Sequence, residues 1–226
     1  MIKLLKRLSH RVSTDGLIIV AQKITHLVED LYFDKKYNTD TVRWRSINEV
    51  SHKHTVNASP YQPTRGTPFL KLLHKLKLPK SFTFVDIGSG KGKILLLAQE
   101  YGFKNIKGVE FSTELCQIAE KNILEYSKKK KGYNIQPIDV INDDILNYQF
   151  TRDSYCLFLF NPFDEIIMSK LIEKLKVALN KKIKMIIIYR NPKYASLFSD
   201  SLHLYEYEEI ISGDDYIVFS TYGLKK

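Results

Sequence analysis

The chain has 226 residues, 44% of them hydrophobic and 12% aromatic, and carries a formal net charge of +10. That length suits one generous α/β domain with an appendage rather than two full domains, and the apolar content excludes a disordered chain. The basic balance permits an acidic partner, but the lysines are spread along the chain with no aromatic platform interleaved, so no motif supports nucleic-acid binding.

Residues 1–31 are amphipathic and predict helix, Asp34 to Thr41 predict a polar turn region, and Arg43, Trp44 and Arg45 lead into a loop rich in His, Ser and Asn. Residues 1–60 are therefore expected to form a helical cap or lid, and residues 61–226 the main domain. Tyr61 to Pro68 introduces a helix with Phe69, Leu72, Leu73 and Leu76 on one face. Phe84-Val85-Asp86-Ile87 then breaks into glycines before Ile94-Leu95-Leu96-Leu97-Ala98, the pattern of a strand turning sharply into a helix. Beyond it the pattern predicts strands near 105–111, 135–141, 154–161 and 184–190, with helices near 113–126, 165–179 and 193–199. This alternation predicts a doubly wound, Rossmann-like parallel sheet. Tyr205–Ile211 and Tyr216–Phe219, separated by Ser212-Gly213-Asp214-Asp215, read as a C-terminal antiparallel hairpin. Lys128 to Lys131 read as a solvated loop. Cys116 and Cys156 lack metal-ligand spacing and read as buried, reduced thiols, so no metal is expected. No apolar run approaches bilayer length and the basic start does not lead into a signal peptide, so no membrane insertion and a cytoplasmic location are expected.

The stretch Asp86-Ile87-Gly88-Ser89-Gly90-Lys91-Gly92 is followed eighteen positions later by Glu110, at the end of a second apolar run. Bare glycines let a flat ligand lie on the turn, and an acid at the end of the neighbouring strand can take two ribose hydroxyls, which together make a nucleoside site. A dinucleotide fingerprint would need glycine or alanine at 93 or 95, where the chain has Lys93 and Leu95. A phosphate-binding P-loop would need Gly-Lys-Ser or Gly-Lys-Thr, whereas the steps here are Gly90-Lys91-Gly92 and Gly92-Lys93-Ile94. The spacing points to an adenosyl cofactor. Ligands of such sheets lie beyond the carboxyl ends of the strands, which adds Asn142-Asp143-Asp144-Ile145 and Asn161-Pro162-Phe163 to the candidates. Asp164 reads as a helix cap. The six histidines all fall outside the predicted strand ends, so none is placed as a general base.

Asp-x-Gly-x-Gly-x-Gly with Glu110 resembles the first two motifs of class I S-adenosylmethionine-dependent methyltransferases. Phe33-Asp34, Asp40-Thr41, Tyr61-x-Pro63, the loop 84–93, Gly108 to Ser112, Leu159 to Phe163 and Tyr189 to Pro192 resemble a bacterial group within that class. The Tyr-x-Pro segment and the Asp-x-Gly-Ser-Gly loop carry a more distant likeness to non-SET protein-lysine methyltransferases. The resemblance implies a seven-stranded sheet and S-adenosylmethionine as cofactor. It implies cofactor contacts from Asp86, Gly88, Ser89, Gly90, Gly92, Glu110, Phe111 and Asn161, with adenine taken by Asp144 or, alternatively, Asp143. On the acceptor side it implies Asn161 and Phe163, with Tyr61 closing over cofactor and acceptor. Asn161-Pro162-Phe163 is followed by Asp164 and departs from the Asn-Pro-Pro-Tyr signature of enzymes that methylate base or amide nitrogens. The acceptor stays open between a protein lysine, a small molecule and RNA; a non-catalytic RNA-binding module on the same fold is the alternative outside catalysis.

Overall fold

The computed structural model describes residues 17–43, 62–130, 135–211 and 213–224. Its helices are α1 (Leu17–Tyr37), α2 (Gly66–Leu76), α3 (Lys93–Tyr101), α4 (Thr113–Lys129), α5 (Glu165–Asn180) and α6 (Ala195–Leu202). Its strands are β1 (Thr83–Ile87), β2 (Asn105–Glu110), β3 (Ile138–Asn142), β4 (Ser154–Leu159), β5 (Lys184–Arg190), β6 (Tyr205–Ile211) and β7 (Asp214–Ser220). They form one seven-stranded sheet in the order β3-β2-β1-β4-β5-β7-β6. The first five strands are parallel, and β7 pairs antiparallel with both β5 and β6. Strand order reverses between β1 and β4, which places a crevice at the carboxyl ends of those two strands.

Central strands of a doubly wound sheet are covered on both faces and so read as largely apolar runs rather than alternating ones. β1 is buried throughout. Phe84 faces a core built with Phe69 and Leu72 of α2 and Ile94 and Leu97 of α3; Val85 and Ile87 face a second core with Leu171 and Leu175 of α5 and Phe198 of α6. Side chains that alternate along each strand divide the apolar set between two layers, so a one-residue slip would exchange the layers.

Several boundaries differ from the sequence-based expectation. α1 continues to Tyr37, past the turn expected from Asp34, because the Asp34 carboxylate organises the turn beyond the helix rather than ending the helix itself. It accepts from the hydroxyls of Thr39 (2.7 Å) and Thr41 (2.6 Å) and from the backbone N–H groups of Thr41 (2.8 Å) and Val42 (2.9 Å). α4 reaches Lys129, so part of the lysine run is helix rather than loop, its cations favoured at a helix C-terminus, and Lys130 pairs with Glu100 at 2.7 Å. β4 stops at Leu159 because Asn161 takes a left-handed backbone (φ 42°), which ends the ladder. Ser112 and Asp164 cap α4 and α5 by accepting from Leu115 and Ile167. Both cysteines are buried and free. No helix among the described residues is long and apolar enough to cross a membrane.

Candidate functional site

The loop after β1 is pinned from below by β2. The N–H groups of Gly88 and Ser89 both donate to the Val109 carbonyl, at 2.9 and 3.2 Å. Gly88 has φ +78°, and a Cβ built there would stand 2.8 Å from Cβ of Pro162, so the loops after β1 and β4 touch at this glycine. Only a residue without a side chain meets both conditions.

Glu110, at the end of β2, reaches into the same loop. One carboxylate oxygen accepts the Gly90 N–H at 2.9 Å and the other accepts the Ser112 N–H at 2.9 Å. The side chain thus joins the glycine turn to the start of α4. Burial pushes its carboxyl above the ordinary range, and the N–H groups of Ser112, Gly90 and Phe111 oppose that push. Asp86 is also buried; burial first, and the Glu110 charge second, hold its carboxyl well above the ordinary range. Two buried acids side by side suit a ligand that brings donors to them.

The third and fourth strand ends close around this pair. The Asp143 N–H donates to the Glu110 carbonyl at 3.1 Å, and the Asn142 amide donates to the Glu110 and Phe111 carbonyls. Asp143 and Asp144 are both exposed and both engaged in turns: Asp143 accepts from the Asp144 N–H and Asn147, and Asp144 from the Leu146 N–H. Each retains free lone pairs for a further donor. Asn161 is bound at both ends of its amide, to β5 and to the residue just past it: Oδ1 accepts the Tyr189 hydroxyl at 2.7 Å and Nδ2 donates to the Asn191 carbonyl at 2.6 Å. Phe163 is half-buried against the core beside α5. Tyr61 lies outside the described residues. His26, His74 and His203 lie on α1, on α2 and after α6, away from the strand ends.

The residues present fit the nucleoside half of an adenosyl cofactor. Gly88 offers bare backbone, the Glu110 carboxylate keeps a lone pair beyond those its backbone donors fill, and the buried Ser89 hydroxyl has no hydrogen-bond partner among the described residues. Among the described residues no group of three or more His, Cys, Asp or Glu stands close enough to hold a metal ion.

Sequence reasoning placed three participants within motifs but gave them no role. Gly108 faces the loop from β2, where a Cβ would stand 2.6 Å from the Ser89 hydroxyl oxygen and 2.8 Å from Leu95. Lys91 is fully buried with its ammonium 2.9 Å from Asp40. Tyr189 orients Asn161, and burial pushes its hydroxyl up to about 12. A lysine flanked by glycines in an otherwise apolar corner was the one local signal for the second.

The family model described as "Histone methylation protein DOT1" matches residues 45–191. No curated protein matches the chain. Among solved structures, the ribosomal protein L11 methylase from Lactobacillus delbrueckii subsp. bulgaricus is similar at 17% identity and TM-score 0.50, over 68% of this chain and 77% of that one. The putative methyltransferase yhhF from Escherichia coli is similar at 15% identity and TM-score 0.51, over 70% and 86%. A SAM-dependent methyltransferase from Aquifex aeolicus is similar at 13% identity and TM-score 0.50, over 68% and 88%. At these identities the structural likeness is one of fold.

Proposed function

The chain belongs to the DOT1 family of histone methylation proteins and is an S-adenosylmethionine-dependent methyltransferase, and from that premise we propose that its acceptor is a lysine ε-amine of a protein. Family membership supports a protein acceptor. The departure of Asn161-Pro162-Phe163-Asp164 from the base-methylating signature supports an amine over a ring or amide nitrogen.

The observation that carries the cofactor half is the Glu110 carboxylate, held against the glycine turn by the Gly90 and Ser112 N–H groups with a lone pair to spare. In this reading Glu110 accepts the ribose hydroxyls, Gly88, Ser89, Gly90 and Gly92 supply the floor, Asp86 adds a further cofactor contact, and Phe111 with Asp144 or Asp143 borders the adenine. When bound, S-adenosylmethionine supplies an electrophilic methyl group on a sulfonium. The chain's own task is to hold the acceptor nitrogen in line and keep water out. Asn161, locked by Tyr189 and the Asn191 carbonyl, gives a rigid edge at the β4 end; Phe163 walls the methyl path and Tyr61 closes it. Residues 1–60 act as an appended unit on the domain that begins at residue 61.

Two experiments test this reading. Calorimetry with S-adenosylhomocysteine should show binding by the wild type and weakened binding by Glu110→Gln. Labelled methyl donor presented with peptide arrays, total RNA and a metabolite pool should deposit label on lysine-containing peptides. Label confined to RNA or to small molecules would overturn the lysine assignment.

A further inference from the structure

The glycine loop carries two lysines that a cofactor floor does not need, and both run away from the crevice into the protein. Lys91 is fully buried, with Nζ 2.9 Å from Oδ2 of Asp40. Lys93 is almost as buried, with Nζ 3.3 Å from Oδ1 of Asp30 and 3.9 Å from the ring centre of Phe33. Asp30 and Phe33 lie on α1, and Asp40 lies in the turn that Asp34 caps. Asn122 of α4 completes the joint. Its amide nitrogen donates to the carbonyls of Lys91 (2.9 Å) and Asp40 (3.3 Å), and its oxygen accepts the Asp40 N–H at 2.8 Å. The turn therefore holds the side chain of the residue between Gly90 and Gly92, and Asn122, itself bound to the Asp40 backbone, holds that residue's carbonyl.

An apolar side chain at 91 would anchor a helix start at less cost than a buried ammonium, whose desolvation is recovered only while its partner is in place. The Lys91–Asp40 pair thus ties the loop to the turn of residues 34–42. We propose that Lys91 and Asp40 are positioning residues that couple occupation of the glycine loop to docking of residues 34–42. This rests on the reading of that loop as the cofactor floor. Cofactor on one side of the loop and Asp40 on the other bias the same short element, so each strengthens the other by an equal factor.

The test uses the full chain and S-adenosylhomocysteine. In the wild type, hydrogen exchange across residues 34–42 should slow when S-adenosylhomocysteine is added. In Asp40→Asn the KM for the methyl donor should rise about tenfold, a coupling of ordinary size, with kcat at saturating donor retained and with the ligand-induced protection of residues 34–42 lost. Asp40→Glu should recover most of both. Wild-type protein that binds S-adenosylhomocysteine without any change of exchange at residues 34–42 would overturn the coupling, whether or not the variants fold. So would an Asp40→Asn protein of wild-type KM. Wild-type protein that binds no S-adenosylhomocysteine at all would instead sink the cofactor reading on which this rests.

Discussion

Replacing Glu110 by glutamine changes one atom and separates the loop brace from the ribose clamp. In the wild type each carboxylate oxygen accepts one backbone N–H, from Gly90 and from Ser112, both at 2.9 Å. A glutamine amide can satisfy one of them and must turn its NH2 group toward the other. Leaving one buried N–H unmet costs about 1–3 kcal/mol. Because burial is the largest influence on the Glu110 carboxyl, a neutral side chain recovers part of this. The net loss is about 1–2 kcal/mol, which for a chain of this size lowers Tm by roughly 2–8 °C. Cofactor binding loses more: a ribose hydroxyl bound to an ionised acceptor is worth about 1–2 kcal/mol more than one bound to an amide, or roughly 5- to 30-fold in affinity. Differential scanning fluorimetry and calorimetry with S-adenosylhomocysteine read the two effects separately. A lowered Tm with unchanged affinity would show that Glu110 braces the loop and does not grip the ribose; no change in either would refute the hydrogen-bond argument itself.

Gly88→Ala forces an alanine to φ +78° with its Cβ 2.8 Å from Pro162, so it should lower stability by about 1–3 kcal/mol and abolish methyl transfer, read by urea unfolding and a labelled-donor assay. Asp86 has a folded pKa above its ordinary 3.8, so its contribution to stability is complete below that value and is lost as pH rises through the folded value. Asp86→Asn should therefore stabilise the cofactor-free protein at neutral pH and flatten the decline of Tm with rising pH, while weakening S-adenosylhomocysteine binding; a neutral-pH Tm below wild type would contradict this. Gly108→Ala should cost about 1–3 kcal/mol because its methyl meets Ser89 and Leu95, and the cost should shrink in a Ser89→Gly background, as a double-mutant cycle would measure. Asp164→Ala removes a cap that accepts the Ile167 N–H and should cost about 1 kcal/mol by chemical denaturation with wild-type affinity for S-adenosylhomocysteine.

Local sequence pattern was enough for the alternation of strands and helices, for the closing hairpin and for the convergence of the glycine loop with Glu110, because each stems from hydrophobic period, glycine at a strand end and the placing of ligands at a switch point. The same local view read Lys128 to Lys131 as a loop, since it had no means of weighing a helix C-terminus that favours cations or the Glu100 carboxylate beside Lys130. It also cut α1 short at Asp34, whose carboxylate holds the turn beyond the helix rather than starting it. Only the packed chain decided which polar residues go inside. Lys91 meets Asp40 and Asn122, Asn161 meets Tyr189, and Gly108 makes room for Ser89, through contacts that bridge wide gaps in the sequence. A lysine alone reads as surface; it becomes core when a distant carboxylate arrives to neutralise it, and that meeting is a property of the assembled layers rather than of any window along the chain.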